Sequence, residues 1–160
     1  MTARRPHLLA TALLLGAGAA VPAVELGAAL NGGEASEAAE LSAMITAAPA
    51  ILEAMRDAAR RHQVWLQPGT LPMRAADGRV VNRAPLITPE GRIAFQEKRA
   101  MTRFETERWG VSQGIDPNVF DTPWGRIGIS ICYDIQFPKH ARVQVMAGAE
   151  GARNHTQCDS

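Results

Sequence analysis

The sequence contains only two cysteines, Cys132 and Cys158, among its 160 residues. Two cysteines exclude the dense disulfide framework of a small secreted scaffold. A single bridge between them is the alternative, which we disfavour because Cys158 lies in a polar tail, two residues from the end. We therefore expect Cys132 to carry a thiol. The chain also lacks a CxxC pair and an HExxH motif, so no local pattern predicts a zinc site.

The net charge is close to zero, because the sequence has 17 basic and 16 acidic residues, which gives a net charge of +1. This balance offers no electrostatic argument for nucleic acid or an anionic membrane as a partner, and a small neutral substrate fits better. Apolar residues make up 46% of the chain and charged residues 21%, which is ordinary globular composition. The length suits one domain with one core.

Residues 1–24 allow two interpretations. Two arginines precede the apolar run Leu8–Leu15, and small residues follow up to Ala23; this order is typical of a secretory signal. The alternative, which we favour, is a buried helix and strand of a cytoplasmic α/β domain. We therefore predict a cytoplasmic protein, with export and cleavage after Ala20 or Ala23 as the alternative.

A long helical pattern follows from Glu34 to His62, interrupted near Pro49. Its second half places apolar residues at the spacing of an amphipathic surface helix. Val64–Gln67 then predicts a short strand, and a helix followed by a strand indicates α/β layering.

Two hairpins come next, each with a Thr-Pro-x-Gly turn, in which Pro presets φ and Gly tolerates a positive φ. The predicted strand pairs are Val80–Ile87 with Arg92–Lys98, and Val119–Asp121 with Arg126–Ile131. Isoleucines alternate with Gly128 and Ser130 in the last strand. Its small face could therefore accept a closely packed sheet or helix.

After this strand, Pro138 suits the first turn of a helix, which we expect to run to about Ala149. Residues 150–160 are polar and show no helix or strand pattern. We therefore divide the chain into the ambiguous segment 1–24, a partial domain over residues 25–149 and an unstructured tail over residues 150–160.

Cys132 stands at the end of an apolar strand, where a helix is about to begin. A nucleophile needs such a place, because nearby backbone N–H groups can stabilise an oxyanion and the positive end of the helix favours the thiolate. A buried structural cysteine is the alternative. Lys98 ends a strand of the first hairpin; a cation there could stabilise the same oxyanion, although a lysine at a strand end is usually solvated.

The surroundings of these two residues carry further motifs: Gly91–Lys98, Met101–Glu105, Trp124–Asp134 and Phe137-Pro138. Over about Ala75–Ala149 they resemble the nitrilase superfamily, also called carbon–nitrogen hydrolases. The run from Gly125 through Cys132-Tyr133-Asp134 to Phe-Pro is similar to the nucleophile signature of that family.

The resemblance implies a nitrilase-like αββα sandwich, incomplete at its C-terminal end, which pairs into homodimers when complete. It implies a Glu-Lys-Cys triad in which Cys132 attacks an amide or nitrile carbon and forms a thioester or thioimidate. Lys98 and the backbone N–H of Tyr133 would stabilise the tetrahedral intermediate. Glu107 matches, by spacing, a second glutamate turned toward the site, with a solvated loop carboxylate as the alternative. Tyr133 and Asp134 are expected as supports, and no cofactor or metal is implied.

The general base of the triad has no clear counterpart. In the family this glutamate follows a proline at the end of an early strand, whereas here the only Pro-Glu pair before Lys98 is Pro89-Glu90, in a hairpin turn. Glu25 could serve only in a different register. A truncated, inactive remnant that self-associates through exposed strands is therefore the alternative to an active hydrolase.

Overall fold

The computed structural model describes residues 37–115 and 117–155. The elements within them run in the order α1 (Glu37–His62), β1 (Leu71–Arg74), β2 (Val80–Ile87), β3 (Ile93–Glu97), α2 (Arg103–Glu107), β4 (Val119–Thr122), β5 (Gly125–Ile131), a 3₁₀ helix (Cys132–Gln136), α3 (Pro138–Met146) and β6 (Gly151–His155). The ambiguous segment 1–24 lies outside the described residues.

Both predicted hairpins are confirmed. Strands β2 and β3 pair antiparallel up to Ile87 and Ile93, and β4 and β5 pair antiparallel up to Thr122 and Gly125. The turn glycines Gly91 and Gly125 have φ values of 82° and 105°, which explains why glycine occupies each turn.

In the described part of the chain, the strands form two three-stranded sheets, in the orders β1-β2-β3 and β4-β5-β6, which pack face to face. Their shared core is a cluster of buried apolar side chains: Ala84, Leu86, Phe120, Ile127, Ile129 and Ile131. Helix α1 packs against β1 and β2, while α3 packs against β5. The layers are therefore helix, sheet, sheet and helix, so the αββα class predicted from the sequence is confirmed.

The small face of β5 receives α3, as its glycine and serine pattern indicated. The Gln144 side chain is 1% exposed and donates from Nε2 to the carbonyl oxygen of Ile129 at 2.9 Å. A Cβ added at Gly128 would lie 2.5 Å from Gln144 Oε1, so a larger residue there would displace the Gln144 side chain.

Helix α1 differs from expectation because it continues through Pro49 without a break. Proline removes one helical hydrogen bond, but Ala48 and Leu52, on either side of it, are buried and hold both halves to the domain. The stretch Ala38–His62 is also long and apolar enough to span a membrane, a test that a helix packed on a sheet can pass too.

Two strand expectations were wrong. Val64–Gln67 forms only an isolated bridge, between Leu66 and Ile87, and the edge strand of the first sheet is β1 instead. The expected unstructured tail over residues 150–160 contains β6, which pairs parallel with β5. The edge of β5 offers unpaired backbone groups, and such pairing needs no apolar pattern in the added strand. Residues 156–160 lie outside the described part.

We expect Ile129→Ala to lower the free energy of unfolding by roughly 2–5 kcal/mol, because it opens a cavity between the two sheets. Ile129 is 0% exposed, and urea denaturation measures the change. The matched control is Ile115→Ala, since that side chain is 58% exposed and its loss should cost less than about 0.5 kcal/mol. Equal effects of the two substitutions would contradict the described core.

Candidate functional site

Cys132 is the first residue of the 3₁₀ helix that follows β5. Its φ of 50° lies in the left-handed region, which costs energy for a residue with a Cβ and is often found at functional sites. The side chain is partly buried and packs against the core cluster. The chain therefore passes from strand to helix at Cys132, which is the transition predicted from the sequence.

The Cys132 sulfur is in a disulfide in this structure. We expected Cys132 to carry a free thiol, and for this structure that prediction was wrong. Because a thiolate and not a disulfide is the nucleophile, any thiol chemistry at Cys132 belongs to the reduced chain.

Lys98 lies just beyond β3 and is 2% exposed. Its main chain is held on both sides, since its N–H donates to Asn82 O and its C=O accepts from Gly114 N–H, each at 2.8 Å. Its Nζ donates to both carboxylate oxygens of Glu105, at 2.6 and 2.7 Å. A lysine at a strand end is usually solvated, but this one is buried with a charged partner.

The glutamate that pairs with Lys98 is Glu105 and not Glu107. Glu107 sits two residues further along α2, with its side chain 57% exposed and paired with Arg103. Its expected orientation toward the site was therefore wrong. Glu105 Oε2 also accepts from the N–H and the hydroxyl of Thr102, at 2.8 and 2.9 Å.

A local signal could have identified Glu105. Thr102-Arg103-Phe104-Glu105 has the Ser/Thr-x-x-Glu pattern of a capping box, and the structure forms that box at the start of α2. The box fixes the rotation of the short helix, and that rotation decides which glutamate faces Lys98.

Asp134 is fully buried and joins the two catalytic candidates through main-chain groups. Its Oδ1 accepts the N–H groups of Arg99 at 3.0 Å and Ala100 at 2.6 Å, and its Oδ2 accepts that of Ile131 at 3.2 Å. The residue after Lys98 and the residue before Cys132 are thus held by one carboxylate.

Tyr133 lies between Cys132 and Asp134 in the chain and is half-buried. Its ring meets the ring of Phe137 edge to face, with centroids 5.1 Å apart. This contact fits the supporting role expected of Tyr133.

A second buried ion pair was missed by the sequence analysis. Arg83 donates from Nε and Nη2 to Glu97 Oε1 at 3.0 and 2.7 Å. Glu97 Oε2 accepts the Ile115 N–H at 3.0 Å. This pair attaches the loop after α2 to the strand that precedes Lys98. No sequence pattern marks it, because the two residues come from neighbouring strands.

A cleft of about 420 Å³ lies beside this loop, lined by residues 99, 101, 106 and 110–113. Neither Lys98 nor Cys132 lines it. Glu25, the candidate for the general base, lies outside the described residues. Within the described ranges, no group of three or more His, Cys, Asp and Glu side chains is arranged to hold a metal ion.

Comparison with known proteins shows one family. The family model for carbon–nitrogen hydrolases matches residues 20–157, a range that includes Lys98, Glu105 and Cys132. A deaminated glutathione amidase of Yersinia enterocolitica is 32% identical over 107 residues, covering 60% of this chain and 37% of that protein.

Solved structures show the same fold. A carbon–nitrogen hydrolase from Helicobacter pylori has a TM-score of 0.66 at 22% identity, covering 74% of this chain and 41% of that one. A mutant amidase from Nesterenkonia sp. AN1 has a TM-score of 0.60 at 22% identity, covering 70% of this chain and 45% of that one, and carries acrylamide added at its active-site cysteine. The matches thus span less than half of each of these proteins.

We expect Glu105→Gln to lower the free energy of unfolding by roughly 3 kcal/mol, because it leaves the buried Lys98 ammonium without a charged partner. Chemical denaturation measures this loss. Glu107→Gln, in the same short helix, is the control, and its loss should stay below about 1 kcal/mol because exposed ion pairs contribute little. A larger loss from the Glu107 variant would show that the assignment of the two glutamates is reversed.

Proposed function

This chain belongs to the carbon–nitrogen hydrolase family, and on that premise we propose that it cleaves a non-peptide carbon–nitrogen bond with Cys132 as the nucleophile. The observation that carries the proposal is the placement of Lys98. A buried, ion-paired lysine lies on a loop that Asp134 ties to the turn of Cys132. A cation fixed next to a nucleophile can stabilise the anion that forms during attack.

In the proposed reaction, the Cys132 thiolate attacks the carbonyl carbon of an amide and a tetrahedral oxyanion forms. The Lys98 ammonium and the backbone N–H of Tyr133 stabilise this oxyanion. The intermediate collapses, the C–N bond breaks, and ammonia or an amine leaves with the proton that the thiol gave up. Water then attacks the thioester, which releases the carboxylic acid and regenerates the thiol. A nitrile would pass through a thioimidate instead.

Glu105 holds Lys98 in place in this scheme. Both of its oxygens accept hydrogen bonds from Lys98, and Oε2 accepts two more from Thr102. These four hydrogen bonds fit a positioning role for Glu105. The general base is expected elsewhere, and Glu25, inside the matched range 20–157, stays a prediction for that role.

An amide is the substrate class we favour over a nitrile. The similar proteins from Yersinia enterocolitica and from Nesterenkonia both carry the name amidase. The acrylamide adduct at the active-site cysteine of the Nesterenkonia enzyme supports the proposal of a cysteine nucleophile here. A cytoplasmic location would keep Cys132 reduced and stays a prediction.

The test is ammonia release from small aliphatic amides and nitriles by the chain kept under reductant. We expect turnover by the wild-type chain and by Cys158→Ser, and only the uncatalysed background from Cys132→Ala, because the nucleophile is gone. Equal ammonia release by the Cys132 variant would refute the proposed nucleophile. A folded, reduced wild-type chain that releases no ammonia would refute an active hydrolase.

The alternative, a self-associating module, is favoured by an apolar surface that follows Cys132. Five large apolar side chains are exposed there: Ile135, Phe137, Val143, Val145 and Met146, the last two at 64% and 77%. Contiguous exposed apolar surface often marks an interface between proteins. We propose that a second copy of the chain covers this surface, a contact that is compatible with either function.

We expect the double substitution Val145→Glu and Met146→Glu to reduce self-association, because two carboxylates would have to be buried in the interface. Size-exclusion chromatography with light scattering gives the mass in solution. The control Arg61→Glu changes the net charge by the same two units at an exposed position on α1. A wild-type chain that is monomeric at all concentrations would overturn the pairing.

A further inference from the structure

We infer that Asp134 is a positioning residue, which sets the separation of Lys98 and Cys132 by holding the backbone next to each of them. The inference rests on the proposed function, because it assigns these two residues to one reaction. It adds a role for a side chain that touches neither the substrate nor the reacting atoms.

The topology creates the need for such a residue. Lys98 follows β3 of the first sheet, and Cys132 follows β5 of the second. Within the described residues, no ladder of backbone hydrogen bonds connects the two sheets. The apolar contacts in the core between them are non-directional. Asn118, directly before β4, makes directional hydrogen bonds to Phe95 and Gln96 of β3. Asp134 supplies such a constraint at the strand ends that carry Lys98 and Cys132.

The contacts of Asp134 match this task. A carboxylate with no exposure to water is costly unless hydrogen bonds replace its hydration. Here three backbone N–H groups do so: Arg99 and Ala100 at Oδ1, Ile131 at Oδ2. The donors come from two separate elements, one beside each catalytic candidate, whereas a purely local cap would take donors from its own turn alone.

The chemistry of the side chain distinguishes Asp from Asn at this position. An amide has one acceptor oxygen, and its NH₂ group would face at least one backbone N–H. Asp134→Asn therefore releases either Ile131 or the pair Arg99 and Ala100, while the volume of the side chain is kept. The variant loosens the link between the two strand ends without opening a cavity.

Alkylation of Cys132 by iodoacetamide tests this inference without any turnover. The background is Cys158→Ser, which leaves Cys132 as the only cysteine of the chain, and mass spectrometry gives the rate as a function of pH. We expect Lys98→Met to raise the midpoint of this pH profile by about one unit, because a nearby cation favours the thiolate. Asp134→Asn should raise it by about half of that shift or more.

The double variant decides between positioning and general weakening of the structure. If Asp134 acts through Lys98, Asp134→Asn should cause no further shift in the Lys98→Met background. A full additive shift in the Lys98→Met background, or no shift when Asp134→Asn is made with Lys98 intact, would overturn the inference. The matched control is Asp121→Asn, whose side chain is 90% exposed and whose profile should equal that of the background.

Two further measurements make the test decisive: circular dichroism of each variant, and ammonia release measured beside alkylation. Circular dichroism establishes that each variant is folded, and if Asp134→Asn unfolds, Asp134→Glu takes its place, since it keeps the charge but shifts both oxygens by one methylene. Alkylation and ammonia release can also fail independently. One outcome refutes the hydrolase and supports the positioning role: the chain releases no ammonia, but Asp134→Asn raises the midpoint of alkylation only when Lys98 is present.

Discussion

A buried ammonium group must keep a partner of opposite charge, and this constraint organises the candidate site. Lys98 is almost fully removed from water, so the loop after β3 has to return a carboxylate to it. The chain meets this need with the short helix α2, whose capping box fixes Glu105 against Lys98. Loss of either partner would leave an uncompensated charge in a region of low dielectric constant.

The same constraint explains where the polar residues lie in the sandwich. The inner faces of the two sheets are apolar in the middle, while three buried charged residues, Glu97, Lys98 and Asp134, gather where β3 and β5 end. Each of them has hydrogen-bond partners in a neighbouring element. Apolar packing thus supplies the bulk of the stability, and directed hydrogen bonds set the geometry at one end of the core.

Helix α3 distributes its residues in an unusual way. Its buried side carries the polar residues His140 and Gln144, whereas Val143, Val145 and Met146 face outward. The close approach at Gly128 admits the Gln144 side chain, which hydrogen-bonds to β5. A surface helix normally has the opposite arrangement, so the outward apolar side is the part of the fold that most needs a covering surface.

Local features of the fold were predictable because they depend on neighbouring residues. The Thr-Pro-x-Gly turns predicted both hairpins, and the alternation in β5 predicted the small face that α3 covers. The strand end at Cys132 was predictable for the same reason, and Lys98, predicted as the last residue of its strand, directly follows β3. In each case, backbone preferences of a few consecutive residues are sufficient.

Contacts between distant segments were decided only by the tertiary structure. Strand β6 forms because β5 presents an open edge, and the polar sequence of residues 151–155 carries no sign of it. The pairing of Arg83 with Glu97 depends on the register of two strands, and the choice of Glu105 over Glu107 depends on the rotation of α2 relative to Lys98. The sequence by itself determined which residue types were available for the chemistry. The packing of the two sheets decided which of them meet, because burial of a charge is a property of the surroundings and not of the residue.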